Sequence, residues 1–192
     1  MSARLSVNSS VKTEPAPRVR PARRVFILGM GSPILGDDGV GLAVAERLKG
    51  RISGADVASS FMVGLGLIDE IVGYDVIYVV DAMTTRSGTP GELKKIAAVG
   101  GAGTLHLFSS HGMNLFELIE LGTHLGYAMP AIGAVYGIEI GDEVTFDEEL
   151  SPAITYRLDA IIEDILADML ATAPSVALIA QAPDEVETIR RV

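Results

Sequence analysis

Residues 25–41 read VFILGMGSPILGDDGVG. The stretch opens on a continuous apolar run, Val25–Met30, bounded by glycine, the pattern of a strand covered on both faces as in parallel sheets. Leu42, Val44, Ala45 and Leu48 follow at helical spacing, so the stretch predicts strand, loop and helix, the opening of an α/β domain. Asp37 and Asp38 stand where the strand hands over to the helix. Carboxylates in that position are costly unless they bind something.

Outward from this opening, strands and helices alternate. Residues 76–80 (VIYVV) repeat the buried-strand pattern, and residues 57–62 (VASSFM) and 131–137 fit further strands. Residues 65–72 predict a short helix. Residues 84–91 hold Gly88 and Pro90-Gly91 and predict a turn-rich loop, with strands over 93–98 and 104–108 beyond it. Asn114, three residues before Glu117, marks a helix start. Ser151-Pro152 supplies an N-cap and a first-turn proline for a helix whose apolar stripe runs through Ile154, Leu158, Ile161, Ile162, Ile165, Leu166 and Met169. The order implies an α/β three-layer sandwich, with a mostly parallel central sheet of about five strands and helices on both faces. In such sheets ligands sit at the carboxyl ends of the strands. That rule brings Asp37-Asp38, Asp81 at the end of the 76–80 strand and His111, between the 104–108 strand and the Asn114 helix, to one rim.

Composition bounds the chemistry. The 192 residues are 48% hydrophobic with a mean hydropathy of +0.37, ample for one core. No apolar run approaches the roughly 20 residues that span a bilayer. Residues 1–24 carry six basic side chains against Glu14, net +5, which leaves −15 on residues 25–192 within a total of −10. Such an acidic body disfavours nucleic acid and anionic membrane as partners. Three segments are expected: a disordered basic tail over 1–24, a single α/β domain over 25–173 and a C-terminal tail over 174–192. Arg23-Arg24 ahead of Val25 superficially matches an export signal, but the apolar stretch is too short and meets Asp37-Asp38.

There is no cysteine, so a metal would have to be held by oxygen and imidazole ligands. Gly29-x-Gly31 is not a dinucleotide fingerprint, because Ile34 occupies the third glycine position. No lysine follows Gly36, which excludes a phosphate-binding Walker loop. Asp37 fits a helix cap or dipole partner, and Asp38, pointing elsewhere, is the better ligand. His106 and His124 are the other imidazoles available should His111 lie away from the rim.

In combination and order, GMGSPILGDDGVG, VVDAM, the GTPG turn and SSHGMNLFELIELG resemble the hydrogenase maturation protease family. Over about residues 25–171 the resemblance implies an endopeptidase that removes a short C-terminal extension from the nickel-loaded large-subunit precursor of a nickel–iron hydrogenase. It implies a metal-ligand set of Asp38, Asp81 and His111, with Asp38 also a candidate catalytic base, and nickel supplied by the precursor itself. It further implies a cytoplasmic location. Ser32 stands where many members carry asparagine, and Asp38 where some carry glutamate. The same three ligands would serve a non-catalytic binding module for the precursor or a small-substrate metallohydrolase. Attack by metal-activated water and by water activated at a carboxylate are both open at this stage.

Overall fold

The structure, a computed structural model, describes residues 23–96, 114–141 and 145–179. The two apolar runs form its central strands: β1 (Val25–Met30) and β4 (Val76–Met83) are buried at every position. They lie side by side in parallel, Val25 opposite Val76 and Gly29 opposite Val80. β3 (Ala55–Ser60) pairs in parallel with the other edge of β1, and β6 (Ala131–Glu139) with the other edge of β4. β5 (Leu93–Ile96) closes the sheet antiparallel to β6, for a spatial order β3-β1-β4-β6-β5. The expected five-stranded, mostly parallel sheet is therefore present. Residues 97, 98 and 104–108 of the expected later strands lie outside the described residues.

Strand alternation builds the three layers. Val25 and Ile27 of β1, with Val76, Tyr78 and Val80 of β4, face a core completed by α1 (Val40–Leu48) and α4 (Pro152–Thr172). Phe26, Leu28 and Met30, with Ile77 and Val79, face the opposite core, covered by α2 (Gly66–Ile71) and α3 (Leu115–His124). All seven residues of the α4 stripe are buried. The helix starts are chemical as well as hydrophobic. Asn114 and Glu117 form a reciprocal capping box on α3, and Ser151 Oγ accepts from the Ile154 N–H at the start of α4. A short two-stranded sheet missed by the sequence pattern, β2 (Ile52–Ser53) with β7 (Ala177–Leu178), lies outside the main sheet. No described helix is long and apolar enough to cross a membrane.

One close approach positions the functional rim. A side chain at Gly41 would place its Cβ 2.2 Å from the Met30 carbonyl oxygen and 2.5 Å from that of Val80. Only glycine lets the first turn of α1 lie against the end of β1 and against β4 at Val80. The loop before α1, which carries Asp37 and Asp38, is thereby seated over the junction of β1 and β4.

Candidate active site

β1 and β4 are neighbours, yet the chain leaves β1 for α1 on one face and reaches β4 through α2 on the other. A crevice at the carboxyl ends of two such strands is where open α/β sheets bind ligands. Two carboxylates meet there. Asp38 comes from the 3₁₀ turn Gly36–Gly39, and Asp81 comes from β4.

The paired aspartates of the loop face different ways. Asp37 Oδ1 accepts a 2.6 Å hydrogen bond from the Ser151 N–H. It thus acts as the cap or dipole partner expected of it, but for α4, 114 positions along the chain, and not for its own helix. Asp38 Oδ2 instead accepts from the Ser32 N–H at 2.7 Å. The donor is main chain, so this contact is indifferent to the Ser32 side chain. The turn depends on Gly31, whose φ of +142° is combined with an approach that would put a Cβ 1.9 Å from the Asp38 carbonyl oxygen.

Asp81 is not at the end of its strand as expected. β4 continues through Met83 because β6 runs beside it, with Asp81 opposite Gly137 and Met83 opposite Glu139. The consequence is deep burial: Asp81 is 6% exposed. Its Oδ1 accepts from the Ala82 N–H at 2.9 Å. Burial, reinforced by the nearby Asp38 carboxylate and only partly opposed by that N–H, pushes the Asp81 carboxyl up to about 8. Among the described residues no cation pairs with either acid. A carboxyl buried beside a second carboxylate, with no cation partner among the described residues, favours its protonated form, and an arriving cation would relieve that cost.

The imidazole expected to complete the set, His111, lies outside the described residues, as does His106. His124 is placed, and it is remote from this rim. It sits at the end of α3 with Nδ1 2.8 Å from the Glu120 carbonyl oxygen. The turn that follows bonds through the Ala128 carbonyl to the Gly73 N–H, and Ala131 N–H bonds to the Asp75 carbonyl, both at the amino end of β4. Among the described residues, no three His, Asp or Glu side chains converge tightly enough to hold a metal ion.

Sequence reasoning missed one acid at the rim. Glu139 is fully buried at the end of β6, where its carboxylate accepts from the Thr85 N–H, the Thr85 hydroxyl at 2.9 Å and Lys94 Nζ at 3.0 Å. Burial would raise its carboxyl, but these donors outweigh burial and hold it below the usual carboxylate range. The strand expected over 131–137 stops two residues short of it. The alternation Ile138-Glu139-Ile140 was the available signal.

Comparisons with known proteins agree with this architecture. A family model described as hydrogenase maturation protease matches residues 43–168, a span that contains Asp81 and begins just after Asp38. The hydrogenase maturating endopeptidase HybD from E. coli superposes with a TM-score of 0.64 at 18% identity, covering 81% of this chain and 96% of that one. The [NiFe] hydrogenase maturation protease HycI from Thermococcus kodakarensis superposes at 0.58 with 25% identity, covering 79% and 94%. HybD from the same organism gives 0.56 at 24%, covering 77% and 99%. No curated protein matches the sequence.

Proposed function

The chain belongs to the hydrogenase maturation protease family, and on that footing we propose that it cleaves a hydrogenase large-subunit precursor by gripping the nickel already seated in it with Asp38, Asp81 and His111. The observation that carries this reading is the acid pair itself: a buried carboxylate on β4 beside a second from the β1–α1 loop, with no cation partner among the described residues. Carboxylate oxygens and an imidazole form a hard-to-borderline set suited to a divalent ion also held by other ligands. The metal is part of the substrate.

The chemistry is hydrolysis of one peptide bond. The precursor's nickel polarises the scissile carbonyl, and a water attacks its carbon. Asp38, half-buried and oriented by the Ser32 N–H, takes the proton from that water and returns it to the departing amine as the C–N bond breaks. Asp81, which carries a proton at neutral pH when no metal is present, gives it up as the cation arrives. The products are the mature subunit with a new terminal carboxylate and a released C-terminal peptide.

A processing assay on nickel-loaded precursor, read as the mass of the large subunit, tests the reading. Asp38→Asn and Asp81→Asn should each slow cleavage by about 100-fold or more. Folded variants that process at the wild-type rate would refute it, and an unchanged precursor mass with the wild-type protein would point to a binding module.

A further inference from the structure

The rim contains a buried ionic clamp that the proposed chemistry does not use. Glu139 ties down both ends of the loop that leaves β4, residues 84–91. At the near end its carboxylate accepts from the Thr85 N–H and hydroxyl. At the far end its main chain takes over: the Gly91 N–H donates to the Glu139 carbonyl at 2.8 Å, and the Glu139 N–H donates to the Glu92 carbonyl at 2.9 Å. Lys94 from β5 neutralises the carboxylate and also reaches Thr85 Oγ1 at 3.3 Å. The loop is pressed onto the clamp from above, since a Cβ at Gly88 would fall 1.9 Å from Glu139 Cδ.

The location gives the clamp a purpose. Asp81 lies opposite Gly137 and Met83 opposite Glu139, so the Glu139 side chain is on the same sheet face as that of Asp81, two residue pairs further out. The loop base is buried at Gly91, while Arg86, Ser87, Thr89 and Pro90 are exposed. A segment held at both ends and seated at Gly88 on Glu139, with Arg86, Ser87, Thr89 and Pro90 in solvent, would present a fixed wall to an extended chain approaching Asp81. Holding an unpaired loop in one conformation costs backbone entropy at every residue. A fully satisfied buried carboxylate at its base supplies the compensating interactions and fixes the wall before substrate arrives.

We propose that Glu139 is a substrate-positioning residue, which locks the 84–91 loop against the end of β6 so that the loop forms one fixed side of the peptide-binding crevice. The inference rests on the reading of this chain as an endopeptidase. It concerns binding of the peptide and not the chemical step, because Asp81 is held independently by the β6 ladder and the Ala82 N–H.

The test is steady-state cleavage of nickel-loaded precursor by Glu139→Gln, Gly88→Ala and Thr85→Val, with Thr85→Ser as the conservative control, alongside thermal melting of each protein. The first three attack the clamp from strand, loop tip and loop base in turn. They are expected to raise KM for the precursor tenfold or more while kcat stays within about twofold, and Thr85→Ser, which keeps the hydroxyl donor, should restore the wild-type KM. If folded variants melt lower but keep the wild-type KM, the clamp is only structural and the inference falls. Should Glu139→Gln not fold, the Thr85→Val and Thr85→Ser pair decides alone, since it alters a single hydroxyl. Wild-type protein that neither binds nor cleaves the precursor would overturn the family-based reading and this inference together, whereas normal wild-type cleavage with unchanged KM in the variants overturns the inference by itself.

Discussion

Asp37, Asp38 and Asp81 show how three identical side chains acquire different properties from their surroundings. Asp37 holds the Ser151 N–H at the start of α4. Asp37→Ala leaves that donor without its partner and should cost about 1–2 kcal/mol, measurable as a shift in the urea midpoint. Asp81 is governed by burial, and the sign of its effect on stability follows. Burial pushes its carboxyl up to about 8 in the folded chain, against 3.8 for an ordinary aspartate in water. Between those values the folded state holds a proton that the unfolded state has lost, so the metal-free protein should lose stability as pH rises from about 4 to about 8. The limiting slope is about 1.4 kcal/mol per pH unit. Denaturation in chelator at pH 5 and pH 8 should show this decline for the wild type and a flatter profile for Asp81→Asn; equal slopes would mean that Asp81 ionises normally. All three acids were visible in the sequence as candidates, because carboxylates interrupting apolar runs are conspicuous. Their separate partners were not, since Ser32 and Ser151 reach them through main-chain N–H groups that carry no residue signature.

Among the elements, those with local punctuation were legible and those defined by a neighbour were not. The Asn114–Glu117 capping box and the Ser151-Pro152 start are short-range hydrogen-bond patterns, and α3 and α4 begin where they indicate. β4 was read three residues short, because the extension through Asp81, Ala82 and Met83 exists only by pairing with β6. β2 and β7 are two-residue strands that pair 126 positions apart, Ile52 with Leu178, and leave no periodic trace. The seat of α1 is equally a matter of contact. Gly41→Ala would drive a methyl group to 2.2 Å from the Met30 carbonyl oxygen, and main chain cannot move aside cheaply. The variant should lose about 3 kcal/mol or more of stability by denaturant unfolding, with the β1–α1 loop displaced. On the opposite surface of the same core, Ile161→Ala in the fully buried stripe of α4 should cost about 2–5 kcal/mol, without touching the rim.

At the scale of the whole molecule, the proposed function predicts how metal is handled. If Asp38, Asp81 and His111 grip the precursor's nickel as proposed, they would leave coordination positions open for the precursor's own ligands, so the protein alone should be a weak nickel binder. Elemental analysis after dialysis should find well under one metal ion per chain; stoichiometric retention would instead favour a self-contained metallohydrolase. The net charge of −10 also means that association with the precursor is sensitive to ionic strength wherever the partner surface is charged. The layered α/β architecture, the faces of its helices and the rim on which the acids lie were determined by the sequence alone, because each follows from local periodicity and from the rule that open sheets bind at strand carboxyl ends. The deep burial of Asp81 beside β6, the diversion of Asp37 to α4 and the grip of Glu139 on Thr85, 54 positions away, were settled only by folding. They depend on which strands become neighbours and in what register, and that is set by the summed packing of the whole core, which no local stretch of sequence encodes.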